Sequence, residues 1–463
     1  MSPVVNDIHS ELNETTVSEI VTVAAAEDVQ RAIRHAADAG LPVSIAGGRH
    51  AMGGQQFCSD GLLLDTRSFA DVVSFDADAG TIVVQAGIQW PALLGFLRDQ
   101  PGDVRQWAFR QKQTGADRLS IGGALAANAH GRGLVFPPFA SDVESFTLVD
   151  PGGELVTCSR NEDAELFALV AGGYGLFGCL VDVTLRLVRR QTVERVVEVR
   201  EIEDLGALFA SRIADGFGYG DFQFATDPAS DAFLRRGVFS CYRPIERDGP
   251  LPEGQRALTR DDWRRLLVLA HTDKSRAFEE YAEHYLATSG QLYDSDAHQM
   301  GDYEDGYHRA LDAYVGSPHR ATEMISELYV PRDRLADFMR DAADDFRRND
   351  VHAIYGTIRL IERDEDSFLA WAREPWACVI FNLHTVHTEE GIAHSADAFR
   401  RLIDLAADRG GSYFLTYHRW ATRDQVERCY PRFREFLEAK LRHDPDERFR
   451  SDWYRHYRSL FGQ

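Results

Sequence analysis

The stretch AGGRHAMGGQ, residues 46–55, sets four glycines around one arginine and one histidine. A β-branched run, Val43-Ser44-Ile45, comes just before it. Glycine costs backbone entropy and is kept where the main chain turns sharply or comes close to another group. A strand feeding such a loop therefore predicts backbone amides turned toward a ligand. A second loop, SIGGALAANAHGRG at 120–133, has the same character. Gly122, Gly123, Ala124, Ala126, Ala127 and Ala129 leave little side chain between the main chain and its neighbour. Tight packing alone would explain the small residues. It would not explain Asn128, His130 and Arg132 among them, whereas a flat polar ligand lying against the backbone accounts for both.

Working outward, residues 27–40 read as an amphipathic helix, with Val29, Ala32, Ile33, Ala36 and Ala37 at helical spacing and Gly40 and Pro42 ending it. Strand-like runs follow at 43–45, 62–64, 72–75 and 82–85, and DPGG between 145–149 and 154–157 is a hairpin signal. Gly173-Tyr174-Gly175-Leu176-Phe177-Gly178 matches G-x-G-x-x-G, but a nicotinamide site needs a strand before it and a helix after it. Here the helix (163–170) comes first and the strand CLVDVTLRLV second. Farther on, SELYVP, IYGTIRLI and CVIFNLHTVH look like sheet strands separated by helical runs, and the tail after Gly411 returns to helix.

Composition narrows the function. With 463 residues, 44% of them hydrophobic, the chain can bury a large core in two or three domains. A net charge of −22 argues against nucleic acid or anionic membrane as a partner. No run of about 18 apolar residues predicts a membrane span, and the lack of a basic-then-apolar start favours the cytoplasm. The six cysteines show no metal-ligand spacing and read as buried thiols. His384 and His387 sit three apart on a strand, hence on opposite faces, which disfavours shared metal ligation. No metal is expected. Asn382 and His384 share one face and are candidates for a pocket wall.

The ordered set PVSIAGGRHAMGGQ, GLLLDT, TIVVQAGIQW, LSIGGALAANAHGRG and AGGYGLFGCLVDVTLRL resembles the vanillyl-alcohol oxidase/p-cresol methylhydroxylase flavoproteins. It is most similar to their sugar-acting branch of alditol, aldonolactone and decaprenylphosphoryl-ribose oxidases. The resemblance implies an α+β, two-domain FAD-binding fold. Residues 1–192 would form the FAD domain, 193–411 an antiparallel-sheet-plus-helices cap over the substrate, and 412–463 a segment returning to the FAD domain. Ala46, Gly47, Gly48, Arg49, His50, Ala51 and Met52 would wrap the pyrophosphate. Ser120, Gly122, Gly123, Asn128, His130 and Gly131 would run beside the isoalloxazine and pyrophosphate, and Gly173, Gly178 and Val181 would touch the adenine end.

The implied reaction is oxidation of a CH–OH group of a sugar, polyol or lactone-like alcohol by hydride transfer to FAD, with dioxygen as acceptor. His50 is the candidate for a covalent link to the flavin. A dehydrogenase or C=C reductase that avoids dioxygen is the alternative, and a non-catalytic flavin-binding protein a further one. Two departures from the branch stand out. Ala51 replaces a frequent serine, and Thr357 stands where an acid often precedes the arginine, here Arg359. Tyr417 occupies a position that is lysine in the ribose-oxidase relatives. Alternation is expected to put Tyr413, Leu415 and Tyr417 on one face. Tyr417 is then a candidate base, its pKa lowered by Arg359 or His418, with His384 or His418 as alternative bases.

Overall fold

The computed structural model describes residues 2–101, 106–247, 249–301 and 303–462. The opening stretch lies at the edge of a three-stranded parallel sheet, in which Glu19–Thr22 and Val43–Ala46 flank Leu62–Asp65. The connecting helix, Ala26–Ala39, buries Val29, Ala32, Ile33 and Ala36, the face set by its 3.6-residue period. It stops at Gly40, whose φ of 66° is the left-handed conformation that closes helices.

Next comes a five-stranded antiparallel sheet ordered Leu155–Ser159, Val143–Val149, Cys179–Arg186, Thr81–Gln85, Val72–Asp76. The strand after the G-x-G-x-x-G run pairs antiparallel on both edges, so that run opens no parallel βαβ unit. It is a turn between the helix Ala164–Val170 and the sheet, with Gly172 and Gly175 at positive φ.

From residue 192 onward the chain builds an eight-stranded antiparallel sheet. Its order is Leu292–Asp294, Thr192–Glu201, Arg236–Ile245, Tyr219–Phe224, Ala353–Ile361, Trp376–Val386, Ala321–Pro331, Ser412–Tyr413. Helices Leu335–Arg348 and Glu389–Ala407 cover it, the first burying Phe338, Met339, Ala342 and Phe346. The C-terminal helices, Phe433–His443 and Asp452–Leu460, fold back on the first part of the chain. There Val43 N–H donates to the Arg448 carbonyl (2.7 Å), Arg450 N–H donates to the Val43 carbonyl (2.9 Å), and Lys440 Nζ donates to the Leu176 carbonyl (2.7 Å). All six cysteines are buried and free. Among the described residues no helix is long and apolar enough to cross a membrane.

Candidate active site

Both glycine loops line one cavity of about 640 Å³, which residues of the eight-stranded sheet also line. A Cβ on Gly47 would stand 2.3 Å from Ser120 Oγ, and one on Gly48 would stand 2.2 Å from the Arg118 carbonyl. A Cβ on Gly122 would meet Ala86 at 2.9 Å. The glycines thus let loop 46–55 pack closely on 118–123, and 118–123 on Ala86, where a side chain would not fit. Ser120 caps the short helix Ile121–Ala127, its Oγ accepting from Gly123 N–H.

The cavity suits a large, flat, polar cofactor. Its size is that of a ligand pocket, and its walls are mostly apolar with a few polar atoms. Several of those atoms, Arg49 Nε, His50 Nε2, Gln113 Nε2, Thr357 Oγ1 and Arg359 Nε, are buried without a hydrogen-bond partner in the chain. Buried polar atoms normally have partners, so a cofactor or substrate is their natural complement.

His50 sits on the rim of this cradle. Its Nδ1 lies 2.8 Å from Nε2 of His9, which arrives from the N-terminal segment. Burial, reinforced by His9, pushes the His50 pKa down to about 3, and burial holds His9 near 4. Both rings are neutral at physiological pH, and a neutral imidazole can act as a nucleophile.

The same cavity is lined by a carboxylate that the sequence reading missed. Glu327, on strand Ala321–Pro331, faces His130 Nε2 at 2.7 Å through Oε1. The Tyr329 hydroxyl donates to the same oxygen at 2.5 Å, and the Tyr417 hydroxyl donates to Oε2 at 3.1 Å. Burial raises the Glu327 pKa, but His130, the Tyr329 hydroxyl and the Arg359 charge outweigh it and hold the carboxyl below its ordinary range. Arg359 also lines the cavity and donates to Thr114 Oγ1. An ionised, water-poor carboxylate, a phenol and a guanidinium therefore face one space.

The remaining expected site residues divide. Gly47, Gly48, Arg49, His50, Ala51, Ser120, Gly122, Gly123, His130, Gly173, Gly178, Asn382, Arg359 and Tyr417 line the cavity. Ala46, Met52, Asn128, Gly131 and Val181 stand behind the lining and support it. Asn128, for example, ends the helix Ile121–Ala127 at φ 47°, donates to Asp364 and accepts from Ala140 N–H.

Three expectations about the base are corrected. Tyr417 cannot be a low-pKa phenolate, because burial and the neighbouring Glu327 carboxylate push its pKa well above 10. His418 lies outside the cavity lining. It is a core histidine packed against Phe399 and Trp420, its Nδ1 accepting from Trp420 N–H and its pKa driven to about 3 by burial. His384 also stands outside the lining, beside His271 and Glu323. The alternation expected through 413–417 fails because the strand is only Ser412–Tyr413 and the chain then turns. Phe414, Thr416 and Tyr417 reach the cavity, whereas Tyr413 and Leu415 do not.

Comparison with known proteins identifies the domain to which both glycine loops belong. Residues 17–159 match the family model of the FAD binding domain. The chain is 25% identical over 441 residues to L-gulono-1,4-lactone dehydrogenase of Mycobacterium tuberculosis, covering 95% of each chain. It is 31% identical over 134 residues to the mitochondrial L-galactono-1,4-lactone dehydrogenase of Arabidopsis thaliana, or 29% of this chain and 21% of that one. It is also 30% identical over 168 residues to an uncharacterized oxidoreductase from the fasciation locus of Rhodococcoides fascians, 36% of this chain and 37% of that one. The chain carries an FAD-binding domain of the p-cresol methylhydroxylase type and is an FAD-dependent oxidoreductase similar to the sugar-acting branch of that family.

Proposed function

We propose that this protein oxidises a ring or chain CH–OH group of an aldonolactone or a closely related sugar or polyol. The observation that carries the reading is the Glu327–Tyr417–Arg359 group, which lines the same cavity as the glycine loops. The names of the lactone dehydrogenase relatives support the substrate class. In this reading residues 1–192 and 412–463 serve the cofactor, and 193–411 form the cap over the substrate.

Bound FAD supplies the hydride acceptor. Loops 46–52, 120–123 and 173–178 would hold it, and His50 would be the residue for covalent attachment. The substrate hydroxyl docks on the Tyr417 oxygen. It gives its proton to that oxygen as the phenolic proton passes to Glu327 Oε2, so the proton ends on the carboxylate and the phenol is restored. Arg359 opposes the negative charge that grows on the substrate oxygen. Thr357, one strand repeat away with an unpartnered hydroxyl, takes the place of the acid common in this branch and orients a further substrate oxygen.

The acceptor in this reading is dioxygen. The relatives' name, dehydrogenase, favours a second reading in which another acceptor reoxidises the flavin. Anaerobic addition of lactones, sugars and polyols tests the donor: one class bleaches the visible flavin band. If none does, the substrate assignment fails. Air is then admitted, and fast recovery of the band marks an oxidase whereas slow recovery marks a dehydrogenase.

A further inference from the structure

A second cluster of chemistry-bearing side chains adjoins the cavity away from Glu327, with Glu323 in the lining and two histidines behind it. Glu323 and His384 are directly opposed residues on the paired strands Ala321–Pro331 and Trp376–Val386, so their side chains share a face. His271 comes in from the last turn of the helix Arg260–Thr272. One donor atom from each of the three residues lies within 4.8 Å of the other two.

How these atoms meet is informative. His271 Nε2 and Glu323 Oε1 are 2.9 Å apart. Yet neither has a hydrogen-bond partner of proper direction, and Nδ1 of His384 has none either, although all three atoms are buried. Atoms in a hydrogen-bonded chain point at one another. Here three buried donor atoms lie close together without a directed hydrogen bond among them, an arrangement that ligands adopt around a cation. Ligands held at about 2.0–2.2 Å from one ion stand roughly 3–3.5 Å from each other, and the three atoms here, all within 4.8 Å of one another, are close enough to share one ion.

The other oxygen of the carboxylate is already used. Tyr307 donates its hydroxyl to Glu323 Oε2, and His308 Nδ1 lies 2.9 Å from it. Such outer partners fix the orientation of a metal-binding carboxylate and leave one oxygen for the ion. The side chains of Glu323 and His271 are only 6% and 8% exposed. A carboxylate so poor in water needs hydrogen bonds or positive charge around it; Tyr307 and His308 serve Oε2, and a cation would serve Oε1.

We propose that His271, Glu323 and His384 bind a divalent first-row transition-metal ion, with zinc as the type case, at the wall of the cavity. Two imidazoles and one carboxylate are a borderline-soft donor set that suits zinc or its neighbours better than calcium or magnesium. The ion pins the helix Arg260–Thr272 to the eight-stranded sheet. Three protein ligands leave a coordination position for water or an oxygen of a bound molecule.

The test uses the purified flavoprotein, treated with a chelator and desalted. Zn²⁺ is titrated calorimetrically, and Co²⁺ is added as a spectroscopic probe. The expected result is uptake of one ion per chain, with Co²⁺ giving ligand-field bands to the red of the flavin band. Glu323→Gln and His384→Ala each weaken uptake at least about tenfold. His35→Ala, at an exposed histidine paired with Glu19, leaves uptake unchanged. Flavin content and the metal-free melting midpoint show whether a variant is folded. If one does not fold, His271→Gln replaces it, and the wild-type stoichiometry decides in any case. Absence of one-to-one uptake by the wild type overturns the proposal. So does undiminished uptake by folded Glu323→Gln and His384→Ala, which marks an adventitious ion only.

Discussion

Nε2 of His9 lies 2.8 Å from Nδ1 of His50, with the two rings tilted by 53°. The N-terminal segment is pinned there by its backbone as well, since Ile8 N–H donates to the Arg49 carbonyl. Because both imidazoles are neutral, His50 Nδ1–H can donate to His9 and leave a lone pair on its buried Nε2. In that tautomer His9 orients the residue proposed to carry the flavin. On acid denaturation, the wild type is expected to keep its flavin in the pellet and His50→Ala to release it to the supernatant. His9→Ala lowers the retained fraction while total bound flavin is unchanged. Release of all flavin from the wild type would show that no bond exists.

Glu327 and His418 separate chemistry from packing. Glu327→Gln keeps the shape of the side chain but removes the proton acceptor, so flavin reduction by substrate slows roughly a hundredfold with FAD retained. Tyr417→Phe slows it in the same direction. His418→Ala opens a gap among Phe399 and Trp420. It costs about 2–4 kcal/mol in unfolding experiments and leaves the reduction rate within about threefold of the parent. Stopped-flow reduction and denaturant unfolding of the same samples check both, and an unaltered rate in Glu327→Gln would remove it from the mechanism.

The cradle predicts a graded response to added methyl groups. In Gly48→Ala the new Cβ meets a backbone carbonyl, Arg118 O, which cannot swing away. Bound flavin per chain should fall severalfold. In Gly218→Ala the Cβ meets nothing within 4 Å, and flavin content should match the wild type. The ratio of flavin to protein absorbance of the purified variants is the measurement.

Acid stability follows from His418. Its folded pKa, about 3, lies below the ordinary value of 6.5. As pH falls below 6.5, the unfolded chain takes up a proton that the folded chain refuses. The stability due to the neutral ring is full above 6.5 and is lost progressively down to about 3, by roughly 1.4 kcal/mol per pH unit. Urea unfolding midpoints should therefore fall between about pH 6.5 and pH 4. In His418→Gln, which cannot titrate, the fall should be shallower. An identical pH slope in wild type and variant would contradict this.

The local part of this molecule is readable in the sequence. The helix Ala26–Ala39 follows from apolar residues at helical spacing and a glycine stop. The reversed helix-then-strand order around 173–178 excludes a dinucleotide crossover. The two loops with glycines at 47–48 and 122–123 announce exposed main chain. Each of these depends on backbone preference and on the period of nearby side chains, and both are written over a few consecutive residues.

Tertiary structure alone decided which polar groups meet. Within SELYVP, Glu327 reads as one more polar residue on a strand; its partner His130 is 197 positions away. His9 and His50 are 41 apart. His271, Glu323 and His384 come together only because two strands pair in one register and a distant helix ends above them. Periodicity tells which face of an element is apolar. Whether a buried charge is ionised, satisfied or able to bind depends on the field of groups brought in from elsewhere, because in a water-poor interior those groups replace the solvent.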